Sequence, residues 1–309
     1  PKPLRPEGCV HSRARGVCAC CCPLPARPGP GLRHGAPGHD DPGLPGSLHT
    51  GRGLVGRRLR QANVDVLALQ ETHTPTAHVE KREHTTWYFS TDSKPSGATN
   101  AAFLGVAIII RNDLVHLVHR ILPESGRVML MELRSRPPIS FISAYAPHAQ
   151  RPDNEKDKFY QELTSVRKQA NNSGPCYTMG DFNARVKVTF PDEEQVVGPY
   201  TFQPDNPGAD FTEEVMDNRT RLVKWVTEHR SALSNTYFRK QDHLLATYRE
   251  LSTPPGTMPC ARPRYEQIDY IITSTRWKNS IRNCEANHHP NVDSNHYPVQ
   301  ATIRIKLKR

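Results

Sequence analysis

Residues 179–185 read MGDFNAR, and they close an apolar run that begins at Cys176. A short apolar run that ends in polar residues is typical of a buried strand. Asp181 and Asn183 then lie where a rigid sheet can hold catalytic groups beside solvent. A simple turn is the alternative, because Asp and Asn side chains also bond to the local main chain.

Three further segments place polar residues at the ends of apolar runs: LALQETHT at 67–74, SAYAPH at 143–148, and the pair QIDY at 267–270 with DSNHYPV at 293–299. Taken alone, Glu71 is more often an exposed loop carboxylate than a functional one. Asp269 lies inside an apolar strand, and a carboxylate buried there needs a partner. His296, near the start of the next predicted strand, is the candidate partner.

The sequence pattern of the whole chain predicts several runs of strands, and two longer helices interrupt these runs. The predicted strands are Val64–Glu71, Gly105–Asn112, Arg127–Leu133, Ile139–Pro147, Cys176–Phe182, Leu233–Phe238, Ala246–Leu251, Gln267–Ser274 and Tyr297–Leu307. Helices are predicted over Gly56–Ala62, over Asn154–Asn171, and from a cap at Asp217 or Asn218. This order favours an α/β fold of two packed sheets flanked by helices.

Residues 1–50 are rich in Pro, Gly, Arg and Cys and contain few large apolar residues. Such a segment cannot offset its ordering entropy, so we expect it to be disordered, with a globular domain over 51–309. A readthrough or mispredicted exon would have the same composition, and the first residue, Pro1, indicates a fragment or processed product. The run Cys18–Cys22 could bind a soft metal, but no matching Cys or His pair follows at zinc-site spacing.

The formal net charge of +10 and the sequence pI near 9.3 favour a polyanionic partner such as nucleic acid. A solvated basic face is the alternative. No apolar run approaches the roughly 20 residues that a membrane span needs, so no membrane partner is expected. The three cysteines beyond the first segment are dispersed singly, which fits a reducing, intracellular compartment.

Taken together and in this order, the motifs Leu-Gln-Glu, Ala-Tyr-Ala-Pro, Gly-Asp-Phe-Asn-Ala, Ile-Asp-Tyr and Ser-Asn-His-Tyr-Pro resemble the apurinic-endonuclease-like branch of the endonuclease/exonuclease/phosphatase superfamily. Their spacing is most similar to the endonuclease domain of a non-LTR retrotransposon. The resemblance runs from about residue 55 to the end of the chain. It implies a four-layer α/β sandwich with two mixed sheets, a nuclear location, and Mg²⁺-dependent nicking of DNA (Mn²⁺ is an alternative ion) that leaves a 3′-hydroxyl.

The resemblance also implies roles for the motif residues. Glu71 would ligate Mg²⁺, and Asp181 would orient or deprotonate the attacking water. Asn183 would bond to the phosphate region. His296 would donate to a phosphate oxygen, and Asp269 would hold its imidazole in one tautomer.

Further contacts to the nucleic acid are implied around these motifs. Tyr145 would position the phosphate with its hydroxyl, and His148 is a weaker candidate for the same task. Backbone contacts are expected from cations near the motif-bearing loops, with a solvated surface as the alternative for each. These cations are Arg185, Lys187, Arg239, Lys240, Arg262, Arg264, Arg276 and Lys278.

Two departures from the family pattern predict weak or absent nicking. The family's first strand carries an Asn at the metal cluster, and we expect that strand to be missing or degraded here. Asn295 replaces an Asp of the family, which removes a negative charge from the metal region. An inactive retroelement relic that binds nucleic acid without cutting, or a phosphatase acting on another phosphoester, are therefore alternatives. Relatives carry a reverse transcriptase domain, and none is expected here before the chain ends at Arg309.

Overall fold

The computed structural model describes residues 15–21, 64–92, 104–203, 213–250, 264–288 and 294–305, and these residues contain fifteen strands. In chain order they are β1 (Arg15–Cys21), β2 (Val64–Gln70), β3 (His78–Lys81), β4 (Thr85–Ser90), β5 (Val106–Arg111), β6 (Val118–Pro123), β7 (Val128–Leu133), β8 (Ile139–Tyr145), β9 (Cys176–Asp181), β10 (Ser231–Leu233), β11 (Tyr248–Glu250), β12 (Arg264–Glu266), β13 (Asp269–Ser274), β14 (Ile281–Ala286) and β15 (Val299–Ile303). Two α-helices are described, α1 (Asp153–Gln169) and α2 (Glu213–Glu228).

The strands form two large mixed sheets and one small hairpin. The seven-stranded sheet has the order β14-β15-β1-β2-β5-β4-β3, and the six-stranded sheet has the order β10-β13-β9-β8-β7-β6. Strand β2 is buried along its whole length, as its continuous apolar sequence predicts. Strand β15 alternates buried and half-buried residues, as its period of two predicts.

The two sheets pack face to face around a common apolar core. Its members include Ala68, Ile108, Met131, Phe141, Met179, Ile271 and Ala301. A second core fills the space between the six-stranded sheet and the two helices. From α1 it takes Phe159, Leu163 and Val166, whose spacing of three and four residues gives one apolar face. The α/β class and the two packed sheets are confirmed.

Gly180 sets a close approach between β8 and β9 immediately before Asp181. Its φ is +153°, and a Cβ built on it would lie 1.8 Å from the carbonyl oxygen of Ala144. A larger residue would force these parallel strands apart. The strand ends that carry Tyr145 and Asp181, which lie opposite each other in the register, are therefore held close.

The expectation that the first strand is missing is wrong. Strand β1 lies inside the segment expected to be disordered, and it pairs with β2 on one side and β15 on the other. Composition alone predicts disorder there, but pairing on both edges stabilises these seven residues. The rest of residues 1–50 and the predicted helix Gly56–Ala62 lie outside the described residues, and the boundary at residue 51 stays a prediction.

Two further predictions are corrected. Helix α2 begins at Glu213, so Asp217 and Asn218 lie within the helix and do not cap it. The predicted strand Leu233–Phe238 is mostly a 3-10 helix, over Ser234–Tyr237. The cause is the buried Asn235 side chain, which bonds to the main chain of Asp269 and Ile271 in β13 in place of a strand ladder.

In the part of the chain that the structure describes, no helix is long and apolar enough to cross a membrane.

Candidate active site

Two carboxylates face each other across adjacent strand ends. Asp181 ends β9, Asp269 begins β13, and the two are opposite each other in the antiparallel register. Their exposed fractions are 2% and 1%. Burial, followed by the nearby charges of Asp269 and Glu71, raises the pKa of Asp181 to about 7. The Asn183 main-chain N–H opposes this rise, since it donates to Asp181 Oδ1 at 2.8 Å.

His296 and Asp269 form a buried ion pair. His296 Nδ1 lies 3.1 Å from Oδ2 and 3.3 Å from Oδ1 of Asp269. Burial lowers the pKa of His296, but the charge of Asp269, their hydrogen bond and the charges of Asp181 and Glu71 outweigh it and raise the pKa to about 9. His296 is therefore an imidazolium at neutral pH, with Nδ1–H directed to Asp269 and Nε2–H left to act as a donor.

The predicted catalytic group is brought together. Asp181, Asp269 and His296 each offer one ligand atom, and these atoms lie within 4.8 Å of one another. Glu71 joins the site from the end of β2, where its φ of +54° turns the chain. Tyr145 at the end of β8 donates its hydroxyl hydrogen bond to Glu71 Oε1 at 2.7 Å. The site is therefore built from the ends of β2, β8, β9 and β13 and from the segment before β15.

Asn183 is held in a turn with φ of +49°, and its Nδ2 donates to the carbonyl of Ala146 at 2.9 Å. The buried side chain of Asn218 donates to the carbonyls of Asn183 at 2.9 Å and Pro147 at 3.1 Å. Helix α2 thereby ties the two motif loops together. This role of Asn218 is not predicted by the sequence pattern. The helical spacing could have indicated it, because Asn218 lies four residues before Leu222 and therefore shares the apolar face of α2.

Asn295, expected at the metal region, contacts Tyr248. Its side chain shares a hydrogen bond with the Tyr248 hydroxyl, and its carbonyl accepts from the Arg249 N–H at 2.8 Å. The Tyr248 ring in turn packs against the His296 ring. A role of Asn295 at the metal stays a prediction.

His148 is exposed beside two cations. Burial of part of its ring, together with the charges of Arg151 and Arg127, lowers its pKa, so it is neutral at physiological pH. A neutral imidazole can still donate one hydrogen bond to a phosphate. Its contact with substrate stays a prediction.

Several of the predicted DNA-contacting cations are engaged within the protein. Arg185 pairs with Glu266 at 3.1 Å, Lys240 pairs with Glu285 at 2.5 Å, and Lys278 Nζ lies 3.4 Å from the Tyr237 ring centroid. Lys187 is buried, whereas Arg239 and Arg276 are exposed. Arg262 and the side chain of Arg264 lie outside the described residues. Arg239 and Arg276 are therefore the members of this set best placed to meet a polyanion.

The donor set fits a divalent cation. Three carboxylates, those of Glu71, Asp181 and Asp269, share the site with the imidazolium of His296. Burial raises the pKa of Asp181, the negative charges of Asp269 and Glu71 raise it further, and a bound cation would offset that excess of negative charge. Carboxylate oxygens are the ligands that Mg²⁺ and Mn²⁺ prefer. Glu71 is the residue that would hold such an ion.

A model of the Endonuclease/Exonuclease/phosphatase family matches residues 45–281. Among curated proteins, the chain is 23% identical over 257 residues to craniofacial development protein 2 of Bos taurus and to that of Tragulus javanicus. The aligned region is 82% of this chain in both cases, but 39% and 40% of the relatives. The chain thus spans about two fifths of their length.

Solved structures of similar fold include the endonuclease domain of TRAS1, a telomere-specific non-LTR retrotransposon (TM-score 0.54, 13% identity, 83% of this chain and 94% of that one). The 3′ phosphatase NExo from Neisseria, bound to a product DNA hairpin, has a TM-score of 0.60 at 16% identity, over 94% and 100% of the two chains. AP endonuclease LMAP from Leishmania major has a TM-score of 0.60 at 16% identity, and the match covers 96% of this chain and 89% of that one. With the family match over more than half its length, this chain belongs to the endonuclease/exonuclease/phosphatase family, whose members are generally hydrolases of phosphoester bonds and typically depend on a divalent metal.

Proposed function

We propose that this chain is a divalent-metal-dependent phosphodiesterase that nicks DNA and leaves a 3′-hydroxyl, with activity weakened by the change at Asn295. The observation that carries the proposal is the convergence of Asp181, Asp269 and His296 within 4.8 Å, beside the Glu71–Tyr145 pair. Hydrolysis of a phosphodiester needs a base for water, a donor for the phosphate oxygens and a way to offset charge.

The residues divide this work. Asp181, ionised above its pKa of about 7, accepts a proton from the attacking water. His296, cationic below about pH 9, donates from Nε2 to a phosphate oxygen as negative charge develops there. Asp269 keeps the imidazolium oriented, and the Tyr145 hydroxyl orients Glu71 or the phosphate. The bond from phosphorus to the 3′ oxygen breaks, and the departing oxygen takes a proton from solvent. A bound divalent cation would neutralise charge on the scissile phosphate and on that oxygen.

DNA is the proposed polymer for three reasons. The net charge of +10 attracts a polyanion, and Arg239 and Arg276 are exposed to meet it. Neisseria NExo, a protein of similar fold, is bound to a DNA hairpin, and another protein of similar fold is the endonuclease domain of the retrotransposon TRAS1. The 3′-hydroxyl product and a role in target-primed retrotransposition follow from the resemblance of the motifs to retrotransposon endonucleases.

A nucleic-acid-binding protein without nuclease activity is the second candidate. Asn295 favours it, because the Asp of the family motif is replaced by a neutral side chain. The end of β1 favours it too, because the sequence there reads Cys-Cys-Cys and contains no Asn. Weaker ion binding would leave DNA binding intact and slow cleavage.

Nicking of supercoiled plasmid in Mg²⁺, in Mn²⁺ and in chelator tests the proposal. We expect slow, chelator-sensitive nicking that Asp181→Ala and His296→Ala abolish, with unchanged activity in the surface control Gln161→Ala. Salt-dependent binding of duplex DNA without nicking in either ion would identify the chain as a binding protein. Hydrolysis of a small phosphomonoester without plasmid nicking would identify a phosphatase, and fast nicking would refute the predicted weakness.

A further inference from the structure

A segment outside the predicted motifs, residues 247–249, joins the two halves of the Asp269–His296 pair. Thr247 is fully buried, and its Oγ1 accepts hydrogen bonds from the N–H groups of Ile268 at 3.0 Å and Asp269 at 3.1 Å. Its carbonyl accepts from the N–H of Tyr297 at 2.7 Å. One residue therefore contacts the main chain at Asp269 and at the neighbour of His296.

The next residue, Tyr248, contacts the imidazole itself. The rings of Tyr248 and His296 have centroids 4.8 Å apart and planes inclined by 58°. The two residues also form an isolated antiparallel bridge. The Tyr248 hydroxyl shares a hydrogen bond with the side chain of Asn295.

The pair needs such a connection because its members come from different sheets. Asp269 begins β13 in the six-stranded sheet, whereas His296 precedes β15 in the seven-stranded sheet. A small slide of one sheet against the other would change the distance of 3.1 Å from Nδ1 to the carboxylate. Displacements of about 1 Å at a catalytic group can lower rates by about 100-fold.

We propose that Thr247 and Tyr248 are positioning residues for the Asp269–His296 pair. Thr247 fixes the main chain on both sides of the pair, and the Tyr248 ring confines the imidazole so that Nδ1 faces Asp269 and Nε2 faces the substrate. The catalytic part of this inference rests on the proposed function, and the geometric part does not.

Four substitutions test the inference. Thr247→Val keeps the shape of the side chain but removes the acceptor, whereas Thr247→Ser keeps the hydroxyl. Tyr248→Leu removes the ring, whereas Tyr248→Phe keeps it. Thr227→Val is the matched control, because the hydroxyl of Thr227 bonds within α2, to the carbonyl of Val223 at 2.8 Å.

In plasmid nicking we expect kcat to fall by about 10- to 100-fold in Thr247→Val and Tyr248→Leu, with KM changed less than about two-fold. Thr247→Ser and Tyr248→Phe restore most of the loss. If Thr247 and Tyr248 had a purely structural role, the substitutions would lower the thermal midpoint, and kcat would not depend on the Thr247 hydroxyl or the Tyr248 ring. Should Thr247→Val fail to fold, the comparison of Tyr248→Leu with Tyr248→Phe still decides the question.

A spectroscopic measurement separates this inference from the proposed function. The Tyr248 ring should displace the ring-proton NMR signals of His296, and the displacement should persist in Tyr248→Phe and vanish in Tyr248→Leu. An inactive chain with that signature would refute the proposed function and keep the positioning role. An active chain whose His296 signals and kcat are the same in all four variants would overturn the positioning role.

Discussion

Replacing Asp269 by Asn isolates the electrostatic part of the proposed mechanism. The substitution keeps the size of the side chain and its ability to accept a hydrogen bond from His296 Nδ1, now 3.1 Å away. It removes the buried negative charge that lies beside the imidazole. The geometry of the pair is thus expected to survive while the charge is lost.

The size of the effect follows from the pKa of His296. That pKa is about 9 in the folded chain against an ordinary value of 6.5, and the difference corresponds to about 3 kcal/mol. Loss of the Asp269 charge removes the largest of the effects that raise this pKa, and the calculation takes the ordinary value of 6.5 for the substituted protein. At pH 8 the cationic fraction then falls from about nine tenths to about 3%, which predicts a rate loss of about 30-fold.

The same calculation predicts little loss at pH 6. There His296 stays mostly cationic in both proteins, so the expected loss is less than about two-fold. Removal of the Asp269 charge also lowers the pKa of Asp181, which favours the ionised base at low pH. Initial rates of plasmid nicking at saturating Mg²⁺, measured at both pH values, test the calculation. Equal losses at pH 6 and pH 8 would refute the charge argument and indicate displaced geometry instead.

Four other predictions concern the ion site, the surface and the core. Asp181→Asn should abolish nicking yet raise the thermal midpoint measured in chelator at pH 8. The reason is that the folded pKa of Asp181 exceeds its unfolded value, so ionisation of this group above about pH 4 destabilises the native chain. The increase in thermal midpoint should therefore be smaller near pH 5 than at pH 8. Asn295→Asp should lower the Mg²⁺ concentration for half-maximal nicking, and an unchanged concentration would count against its role at the metal. Arg276→Ala should reduce the salt dependence of DNA binding by about one unit of slope, and an unchanged slope would place Arg276 away from the phosphates. Leu163→Ala, in a fully buried position, should lower the free energy of unfolding in urea by about 2–5 kcal/mol, whereas a loss as small as that of exposed Gln161→Ala would contradict its place in the core.

Strands with continuous apolar sequence could be predicted because their periodicity is local. Val64–Gln70, Val128–Leu133 and Cys176–Asp181 begin and end within about a residue of the prediction. Strands β3 and β6 could not, since they lie at sheet edges and are only partly buried, with charged residues in both. Strand β1 was missed because its stability depends on pairing with strands far away in sequence, which composition does not reveal.

The site was predictable to the extent that its residues end apolar strands. Asp181 was predicted in this way, whereas Asp269 was predicted as a carboxylate inside an apolar strand and His296 as its partner. The connections among them were not, because Thr247 contacts the pair through main-chain groups that are 21 or more residues away in sequence. Asn218 was misread as a cap because Asn is common at caps and its burial in α2 depends on the packing of the helix.

The two departures that remain, Asn295 and the absence of an Asn from the sequence of β1, are expected to weaken ion binding and to leave proton donation intact. By the resemblance to the family, Asn295 and the absence of an Asn at the Cys-rich end of β1 would both leave fewer oxygen donors for the ion. Neither changes Asp181 or the Asp269–His296 pair. Ion affinity depends on the number and charge of oxygen ligands, whereas proton donation depends on that pair. If only the ion affinity is weakened, the nicking rate should recover as the Mg²⁺ concentration rises. A protein that only binds DNA should show no nicking at any Mg²⁺ concentration.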